Sequence, residues 1–290
     1  MHSKPTDIAQ ALRAAAAEGL DRLDAHLLLL HALGRPAHDR AWLLAHDTDP
    51  LPPAAQQAFD ALCAGRRAGR PVAYLVGEKE FFGLPLAVDA RVLVPRPDTE
   101  TLVVWALEVL AGAARAEAAE VLDLGTGSGA IALALAHATA LPGAGPAARV
   151  TALDASPDAL AVAGGNARRL GLPVEFLHSD WFSAVAGRRF DLLVSNPPYI
   201  AAGDPHLAAL RHEPTTALVA GADGLSDLRT LVAGAPAHLR PGGWLLLEHG
   251  WDQAGAVQAL LHAAGFAQVQ SRSDLAGIAR CTGGLWPSHG

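Results

Sequence analysis

The chain carries, from residue 121 onward, the run Val121-Leu122-Asp123-Leu124-Gly125-Thr126-Gly127-Ser128-Gly129-Ala130-Ile131-Ala132. Its mainly apolar start predicts a buried strand, and its alanine-rich end predicts the beginning of a helix. The glycines in between let the backbone turn sharply and approach a ligand closely, because glycine lacks a Cβ and tolerates positive φ. The first turn of the helix then presents free N–H groups. The run therefore predicts a ligand site at the turn between a strand and a helix.

The glycine spacing is G-x-G-x-G, which differs from the dinucleotide fingerprint G-x-G-x-x-G and lacks the Lys-Ser/Thr ending of a phosphate-binding loop. This spacing argues against a nucleotide phosphate as the ligand. The next predicted strand ends in Asp154, whose carboxylate can accept hydrogen bonds from both hydroxyls of a ribose. Together, the glycine turn and Asp154 resemble a class I S-adenosylmethionine methyltransferase. The resemblance implies S-adenosyl-L-methionine as the cofactor.

Short apolar strands alternate with alanine-rich helices through the rest of the chain. The predicted strands are residues 121–124, 150–154, 174–177, 190–195, 244–248 and 267–271. This alternation predicts an α/β fold with a mostly parallel sheet that is covered by helices on both faces. Ligands of such sheets bind outside the carboxyl ends of the strands, so the residues after each strand are the candidates for chemistry.

Asp180 and Trp181 follow the third predicted strand. Asp180 can accept a hydrogen bond from the amino group of adenine, and Trp181 can lie against the purine ring. Aromatic side chains more often supply buried area in a core or an interface, so a packing role for Trp181 stays open. Its position at a strand end favours ligand binding.

The N-terminal part has a different pattern. Residues 1–72 predict a bundle of four or five short helices, because apolar residues recur at helical spacing and prolines interrupt them. Residues 73–95 predict a β-hairpin linker, and residues 96–290 a methyltransferase domain. Every cofactor and reaction motif lies after Pro95, so we expect the bundle to recognise the substrate. Residues 138–148, rich in alanine, glycine and proline, predict a loop.

The motif Ser195-Asn196-Pro197-Pro198-Tyr199 follows the fourth predicted strand. An amide nitrogen is a poor nucleophile because its lone pair is delocalised into the carbonyl. Two acceptors that take both N–H bonds favour a pyramidal nitrogen whose lone pair points at a sulfonium methyl group, and the Asn196 side-chain oxygen and the Pro197 carbonyl can be those acceptors. Consecutive prolines keep the turn extended and lack N–H groups. Tyr199 can stack on the flat amide; the alternative is a plain Pro-Pro turn with a packed aromatic.

The sequence as a whole resembles the release factor glutamine N5-methyltransferase family, the PrmC/HemK type. Besides the motifs above, the resemblance rests on residues 92–100, Glu213-Pro214, residues 221–227, Glu248-His249-Gly250 and Asp274-Leu275-Ala276-Gly277. It implies a seven-stranded class I domain after a helical bundle, acting on the glutamine of the Gly-Gly-Gln motif in class 1 peptide-chain release factors. Departures from the family pattern are Asp98, Ser179 and Ser273, and the first leaves the role of its loop open.

The resemblance also implies the site residues. The cofactor-binding set is Gly125, Thr126, Gly127, Ser128, Gly129, Asp154, Asp180, Trp181 and Asn196. The substrate-binding set is Asn196, Pro197, Pro198 and Tyr199, of which Asn196, Pro197 and Tyr199 are the expected catalytic residues.

Two alternatives belong to other classes of function. A nucleic-acid base methyltransferase, acting on adenine N6 or cytosine N4, shares the Asn-Pro-Pro-Tyr motif and the same lone-pair problem. A net charge of −7 argues against it, because duplex-DNA binders usually carry a basic face. A non-enzymatic binding module is the other alternative, since a fold does not fix a function. The intact glycine turn and reaction motif argue against that alternative.

Composition sets the remaining expectations. Of the 290 residues, 51% are hydrophobic, but no apolar run approaches the ~20 residues that a membrane helix needs. No signal peptide is recognisable, so a cytoplasmic protein without a membrane partner is expected. Cys63 and Cys281 form no C-x-x-C pair, and the thirteen histidines show no metal-ligand spacing. We therefore expect inert thiols, no metal and no direct nucleic-acid specificity.

Overall fold

The computed structural model describes residues 7–112, 117–143 and 148–288. Part of the loop predicted at 138–148 lies outside these residues. The chain divides into two compact units, Met1–Glu78 and Lys79–Gly290. Each unit has its own apolar core. Among the described residues, no helix combines the length and the apolar character required to cross a bilayer.

The first unit is helical. Its described residues form α1 (Ile8–Ala17), α2 (Arg22–Ala32), α3 (Arg40–Ala45), α4 (Pro53–Arg67) and α5 (Val72–Val76). Asp7 caps α1 by accepting the N–H of Gln10 at 2.6 Å, which satisfies a backbone donor that the helix itself cannot pair. The core gathers around Phe59 and three fully buried leucines of α2, Leu28, Leu29 and Leu30. The unit extends past residue 72 because Val72–Val76 continues as α5.

The hairpin after α5 consists of β1 (Glu78–Phe81) and β2 (Leu84–Ala87). It packs into the second unit, where Phe81, Leu84 and Leu86 are buried in the core. Asn166 fixes the hairpin further. Its side chain accepts the N–H of Ala87 at 2.8 Å and donates to the Ala87 carbonyl at 3.0 Å.

The described residues of the second unit form a seven-stranded sheet. Its strands are β3 (Glu120–Leu124), β4 (Arg149–Asp154), β5 (Val174–His178), β6 (Phe190–Ser195), β7 (Leu239–Glu248), β8 (Ala267–Ser273) and β9 (Ala279–Leu285). The spatial order is β5-β4-β3-β6-β7-β9-β8. Neighbours from β5 to β7 pair in parallel, while β9 runs antiparallel to both β7 and β8. The predicted α/β class with a mostly parallel sheet is confirmed.

Helices cover both faces of this sheet. They are α6 (Glu100–Gly112), α7 (Ala130–Thr139), α8 (Pro157–Leu170), α9 (Ser226–His238) and α10 (Ala254–Ala263). Alternate strand residues point to opposite faces. In β6, Leu192 and Val194 belong to the core under α6 and α7, and Leu193 belongs to the core under α9 and α10. The strands are therefore buried on both faces, as parallel strands generally are.

The register brings four strand ends to one edge. Leu124 of β3 pairs with Leu153 of β4 and with Ser195 of β6, and Ser195 pairs with Leu247 of β7. The residues that follow these positions consequently emerge side by side. This edge is where an open parallel sheet binds its ligand.

Candidate active site

A cavity of about 470 Å³ lies at the carboxyl edge of the sheet. Ligand pockets in proteins typically measure roughly 300–1,000 Å³. The cavity is lined by nine of the residues singled out from the sequence: Gly125, Thr126, Gly127, Ser128, Asp154, Asp180, Trp181, Asn196 and Pro198. The structure therefore brings the glycine turn, the end of β4, the loop after β5 and the Asn-Pro-Pro-Tyr motif together. Gly129, Pro197 and Tyr199 are outside the described lining.

The glycine turn is held by the end of β4. Asp154 accepts the N–H of Gly127 through Oδ2 at 2.8 Å and the N–H of Ser156 through Oδ1 at 2.9 Å. The N–H groups of Gly125 and Thr126 both donate to the Leu153 carbonyl at 2.9 Å. A carboxylate has about four acceptor positions, so Asp154 keeps capacity for a ligand that carries hydroxyl groups.

Gly129 serves helix packing. It precedes α7 with φ of +86°, and a Cβ at this position would lie 3.0 Å from the Leu133 side chain and 3.2 Å from the Ala163 side chain. Both the left-handed backbone and the close approach of α7 to α8 therefore require glycine here. This explains why Gly129 belongs to the sequence motif without lining the cavity.

Asp123 lies buried directly beneath the turn. Its Oδ2 accepts the hydroxyl of Thr126 at 2.7 Å and the N–H of Ala132 at 3.2 Å, while Oδ1 has no partner among the residues that the structure describes. Burial raises the pKa of this carboxyl to about 7, because desolvation disfavours the charged form more than the two hydrogen bonds favour it. Asp123 is thus a structural anchor of the turn.

The loop after β5 is fixed by Ser179. Its hydroxyl donates to the Trp181 carbonyl at 2.6 Å and accepts the N–H of Ala184 at 3.0 Å. Trp181 adopts a positive φ of +43°, and its ring lies beside the turn, 3.7 Å from where a Cβ on Gly125 would be. The serine at the position where the family pattern has glycine therefore stabilises the loop that presents Trp181 to the cavity.

Asn196 follows β6 and reaches the cavity with its side chain. Its Nδ2 donates to Oγ1 of Thr99 at 3.2 Å. The carboxylate of Glu248, at the end of β7, lies within reach of the side chains of Thr99 and Asn196, and both of these neighbours favour its charged form. Glu248 is 1% exposed, and within the described part of the chain its Oε2 has no hydrogen-bond partner. Burial raises the pKa of Glu248 to about 7, and the hydrogen bonds from Thr99 and Asn196 partly oppose that rise.

The end of the reaction motif is held by a loop and by the start of α10. The Tyr199 carbonyl accepts the side-chain N–H of Gln253 at 3.1 Å, and the same nitrogen donates to the Gly224 carbonyl at 3.2 Å. The Tyr199 ring packs against the core under α9 and α10. Burial, followed by the negative charge of Glu248, raises the pKa of the phenol, so Tyr199 remains neutral. Pro197 is buried beside it.

Glu213 fixes the side of the cavity that is formed by the residues before α6. Glu213 is 7% exposed and accepts the N–H of Val94 at 3.1 Å and the guanidinium of Arg96 at 2.5 Å. Val92, Arg96 and Thr99 all line the cavity. On the opposite side of this loop, Asp98 pairs with Arg280 of β9 at 3.3 Å. The two Glu213 contacts join segments that lie about 120 positions apart in the sequence and hold them together at the cavity.

Reasoning from the residues gave no role to Thr99, Glu213, Asp227 or Glu248. All four occurred only in the segments quoted for the family resemblance. A signal for Glu248 was present, since it is an acidic residue at the end of a buried apolar strand, where ligands of open sheets bind. Asp227 lines the cavity, and burial followed by the charge of Asp180 raises its pKa.

Comparisons with known proteins give a consistent result. The model of the family Methyltransferase small domain matches residues 104–264, and that of the PrmC N-terminal domain matches residues 6–77. The release factor glutamine methyltransferase of Bordetella pertussis is 54% identical over 269 residues, covering 92% of this chain and 95% of the relative. That of Xylella fastidiosa is 52% identical over 280 residues, covering 96% of this chain and 98% of the relative.

A solved structure supports the fold. The crystal structure of a methyltransferase from Pyrococcus furiosus aligns with a TM-score of 0.52 and 19% identity, covering 78% of this chain and 100% of that chain. At this identity the likeness concerns the fold alone. It agrees with the seven-stranded sheet described above.

Proposed function

The chain belongs to the release factor glutamine methyltransferase family, and from this we propose that it methylates the amide nitrogen N5 of the glutamine in the Gly-Gly-Gln motif of class 1 peptide-chain release factors. The observation that carries the proposal is the orientation of Asn196. Its amide nitrogen donates to Thr99, and the side chain favours the charged form of the nearby Glu248 carboxylate, so its oxygen is the group left to accept a hydrogen bond from a substrate in the cavity. We place the reaction in the cytoplasm, where release factors act.

The cavity fits S-adenosyl-L-methionine as the methyl donor. Asp154 offers a carboxylate to the ribose hydroxyls, Asp180 offers another to the adenine amino group, and Trp181 offers a flat apolar wall. Gly125 leaves room beside the Trp181 ring, where a Cβ would stand 3.7 Å from it. When bound, the cofactor supplies a methyl group on a positively charged sulfonium, which the substrate nitrogen attacks. The glycine turn from Gly125 to Gly129 and Asn196 complete the proposed cofactor site.

The chain contributes orientation rather than acid–base chemistry. Asn196 accepts one N–H of the substrate amide through Oδ1, and the Pro197 carbonyl accepts the other. Both acceptors favour a lone pair localised on the nitrogen, against the resonance that normally delocalises it. Holding the nitrogen in line can contribute roughly 7–11 kcal/mol to the lowering of the barrier. The extra proton leaves to water after transfer.

Pro198 and Tyr199 complete the proposed substrate site. Pro198 lines the cavity, and Tyr199 is held through its carbonyl by Gln253. We propose that the Tyr199 ring stacks on the flat face of the glutamine amide. Because the phenol stays neutral, it adds no charge to the site.

A base methyltransferase would use the same motif on an exocyclic amine, and one experiment separates the two functions. Purified protein and labelled S-adenosylmethionine are incubated either with a release factor or with duplex DNA, and the products are mapped by mass spectrometry. We expect one methyl group on the glutamine of Gly-Gly-Gln and none on DNA. A release factor whose Gly-Gly-Gln is changed to Gly-Gly-Ala is the matched control. Methylated adenine or cytosine with an unmodified release factor would sink the proposal.

A further inference from the structure

Glu248 and Asn196 occupy neighbouring positions at the end of two parallel strands. Ser195 of β6 pairs with Leu247 of β7, so the next residue of each strand emerges at the same level. On its other side, Glu248 pairs with Cys281 of β9. The carboxylate is therefore enclosed by strands on both flanks and is 1% exposed.

When Glu248 is ionised, one assignment of donors and acceptors fits Thr99, Asn196 and Glu248. An ionised carboxylate only accepts hydrogen bonds, so the Thr99 and Asn196 side chains, which both favour its charged form, can interact with it only as donors. Asn196 can donate only through Nδ2, which also reaches the Thr99 hydroxyl at 3.2 Å. Thr99 accepts there and donates its own proton to the carboxylate. The Asn196 oxygen is consequently turned away from Glu248.

The surroundings do not neutralise Glu248. The charged and titratable groups that interact with it are Asp98, Tyr199, Arg280 and Cys281. Arg280 is the only cation among these, and it also pairs with Asp98 at 3.3 Å and Asp274 at 3.0 Å. The Tyr199 phenol and the Cys281 thiol both have raised pKa values and stay neutral. A buried oxygen without a partner, Oε2, remains on Glu248.

We propose that Glu248 is a positioning residue, whose ionised carboxylate acts with Thr99 to fix the Asn196 amide with its oxygen toward the substrate nitrogen. The inference rests on the proposed function of Asn196. A protonated Glu248 becomes a donor, and both the Asn196 oxygen and the Thr99 hydroxyl are acceptors near it. Where the Asn196 oxygen accepts, the amide turns over and presents its N–H groups to the substrate. Where Thr99 accepts, its hydroxyl no longer points at a carboxylate, and the arrangement that fixed the amide is lost. Methyl transfer is then lost in acid. Since burial raises the pKa of Glu248 to about 7, this loss falls within an accessible pH range.

The test compares pH profiles of methyl transfer to an intact release factor between about pH 5.5 and 9, because kcat/KM reports the ionisation of the free enzyme. Wild type should show an acid limb with a midpoint near pH 7. Glu248→Gln should lack that limb and lose about tenfold or more in kcat at alkaline pH, with the KM for S-adenosylmethionine changed less than about threefold. Glu248→Asp, which keeps the charge, should recover the limb and part of kcat.

Cys281→Ala is the matched control, because it alters the buried neighbour of Glu248 without removing a contact to Asn196, and it should keep the wild-type profile. Full kcat in Glu248→Gln, or an unchanged acid limb, overturns the proposal. If Glu248→Gln does not fold, a flat wild-type profile or full kcat in Thr99→Val overturns it instead. Wild type is first tested on the release factor. If it fails there, the proposed function fails, and the same variants are compared on the acceptor that is methylated.

Discussion

The carboxylate of Asp154 accepts the backbone N–H of Gly127 at 2.8 Å. The end of β4 thus holds the glycine turn that follows β3, and one side chain shapes the cavity in addition to lining it. Its second oxygen binds the N–H of Ser156 at 2.9 Å, at the start of α8. A substitution at this position therefore affects both the ligand contact and the turn.

We expect Asp154→Ala to weaken binding of S-adenosylmethionine by about 1.5–3 kcal/mol, the range for losing charge-assisted hydrogen bonds. Titration calorimetry measures this directly. Asp158→Ala is the control, because Asp158 is an exposed acid in the first turn of α8 and does not line the cavity. Unchanged affinity in Asp154→Ala would show that this carboxylate does not bind the ribose.

Asn196→Ala should lower kcat by about 10²- to 10³-fold, the usual effect of removing one preorganised partner at a reacting centre. The affinity for S-adenosylmethionine should change much less, because the glycine turn and Asp154 remain. Asn196→Asp tests the same position more strictly, because it keeps an acceptor oxygen but adds a charge, and we expect it to be poorly tolerated as well. It places a second carboxyl beside the buried Glu248, and two like charges at that spacing cannot both ionise readily. Timed transfer of labelled methyl groups measures kcat, and calorimetry measures the affinity for S-adenosylmethionine. A variant that loses only cofactor affinity contradicts the role of Asn196 in binding the substrate amide.

Gly224 is expected to be intolerant of a side chain. It has φ of +73°, and an added Cβ would collide with the carbonyl oxygen of Tyr199. Gly187 provides a matched control, because its φ is +77° and a Cβ there would meet no atom within 4 Å. Both alanine variants incur a backbone cost of roughly 1–2 kcal/mol for a left-handed conformation.

Only Gly224→Ala should, in addition, displace the reaction motif. Its unfolding free energy in urea should fall further than that of Gly187→Ala, and its kcat should decrease while Gly187→Ala keeps wild-type kcat. If both variants lose the same unfolding free energy and keep the same kcat, the added Cβ at Gly224 does not displace Tyr199, and this prediction is wrong.

The helical unit should act in substrate recognition and not in chemistry. A protein comprising residues 77–290 keeps the hairpin and both cores of the second unit. We expect it to bind S-adenosylmethionine like the whole chain but to methylate a release factor far more slowly. A short Gly-Gly-Gln peptide is the control acceptor, on which the two proteins should have similar activity. Full activity of the shorter protein on the release factor contradicts a recognition role.

Asp123 should make stability depend on pH. Burial raises its pKa from the usual 3.8 to about 7, so folding favours the protonated form. The contribution is fully present below about pH 4 and is lost as the pH rises through about 7, a change of roughly 4 kcal/mol. Urea unfolding of wild type and Asp123→Asn between about pH 5 and 8 measures it. The asparagine variant should show a shallower decline, whereas parallel curves would place the titration elsewhere.

The parts of the sheet that could be predicted were those with an uninterrupted apolar pattern. The strands ending at Leu124, Asp154, Ser195 and Glu248 were predicted with the correct ends, because each apolar run stops where polar ligand-facing residues begin. The strand β9 (Ala279–Leu285) was missed. It contains Gly283 and Gly284, and glycine is depleted in strands. The first half of β7 was missed for the same reason, since Pro241-Gly242-Gly243 is typical of a turn.

The site was predictable where a motif follows a strand directly. The glycine turn, Asp154 and Asn196 satisfy that rule, and all three contribute to the cavity. Thr99 and Glu213 do not, because Thr99 meets Asn196, and Glu213 holds Arg96 at the cavity, only through tertiary contacts. Thr99 meets Asn196 across 97 positions, and Glu213 meets Arg96 across 117. No local pattern encodes such partners.

The side chain of Asn166 joins three segments. It holds both backbone groups of Ala87 in the hairpin and also donates to the Ser128 carbonyl in the glycine turn at 3.0 Å. The hairpin is therefore part of the scaffold that supports the glycine turn at the cavity. For protein engineers who wish to redirect such an enzyme to a different target by fusing a foreign recognition module, the junction belongs ahead of Glu78. A junction placed after Ala87 would discard a brace of the catalytic pocket together with the module.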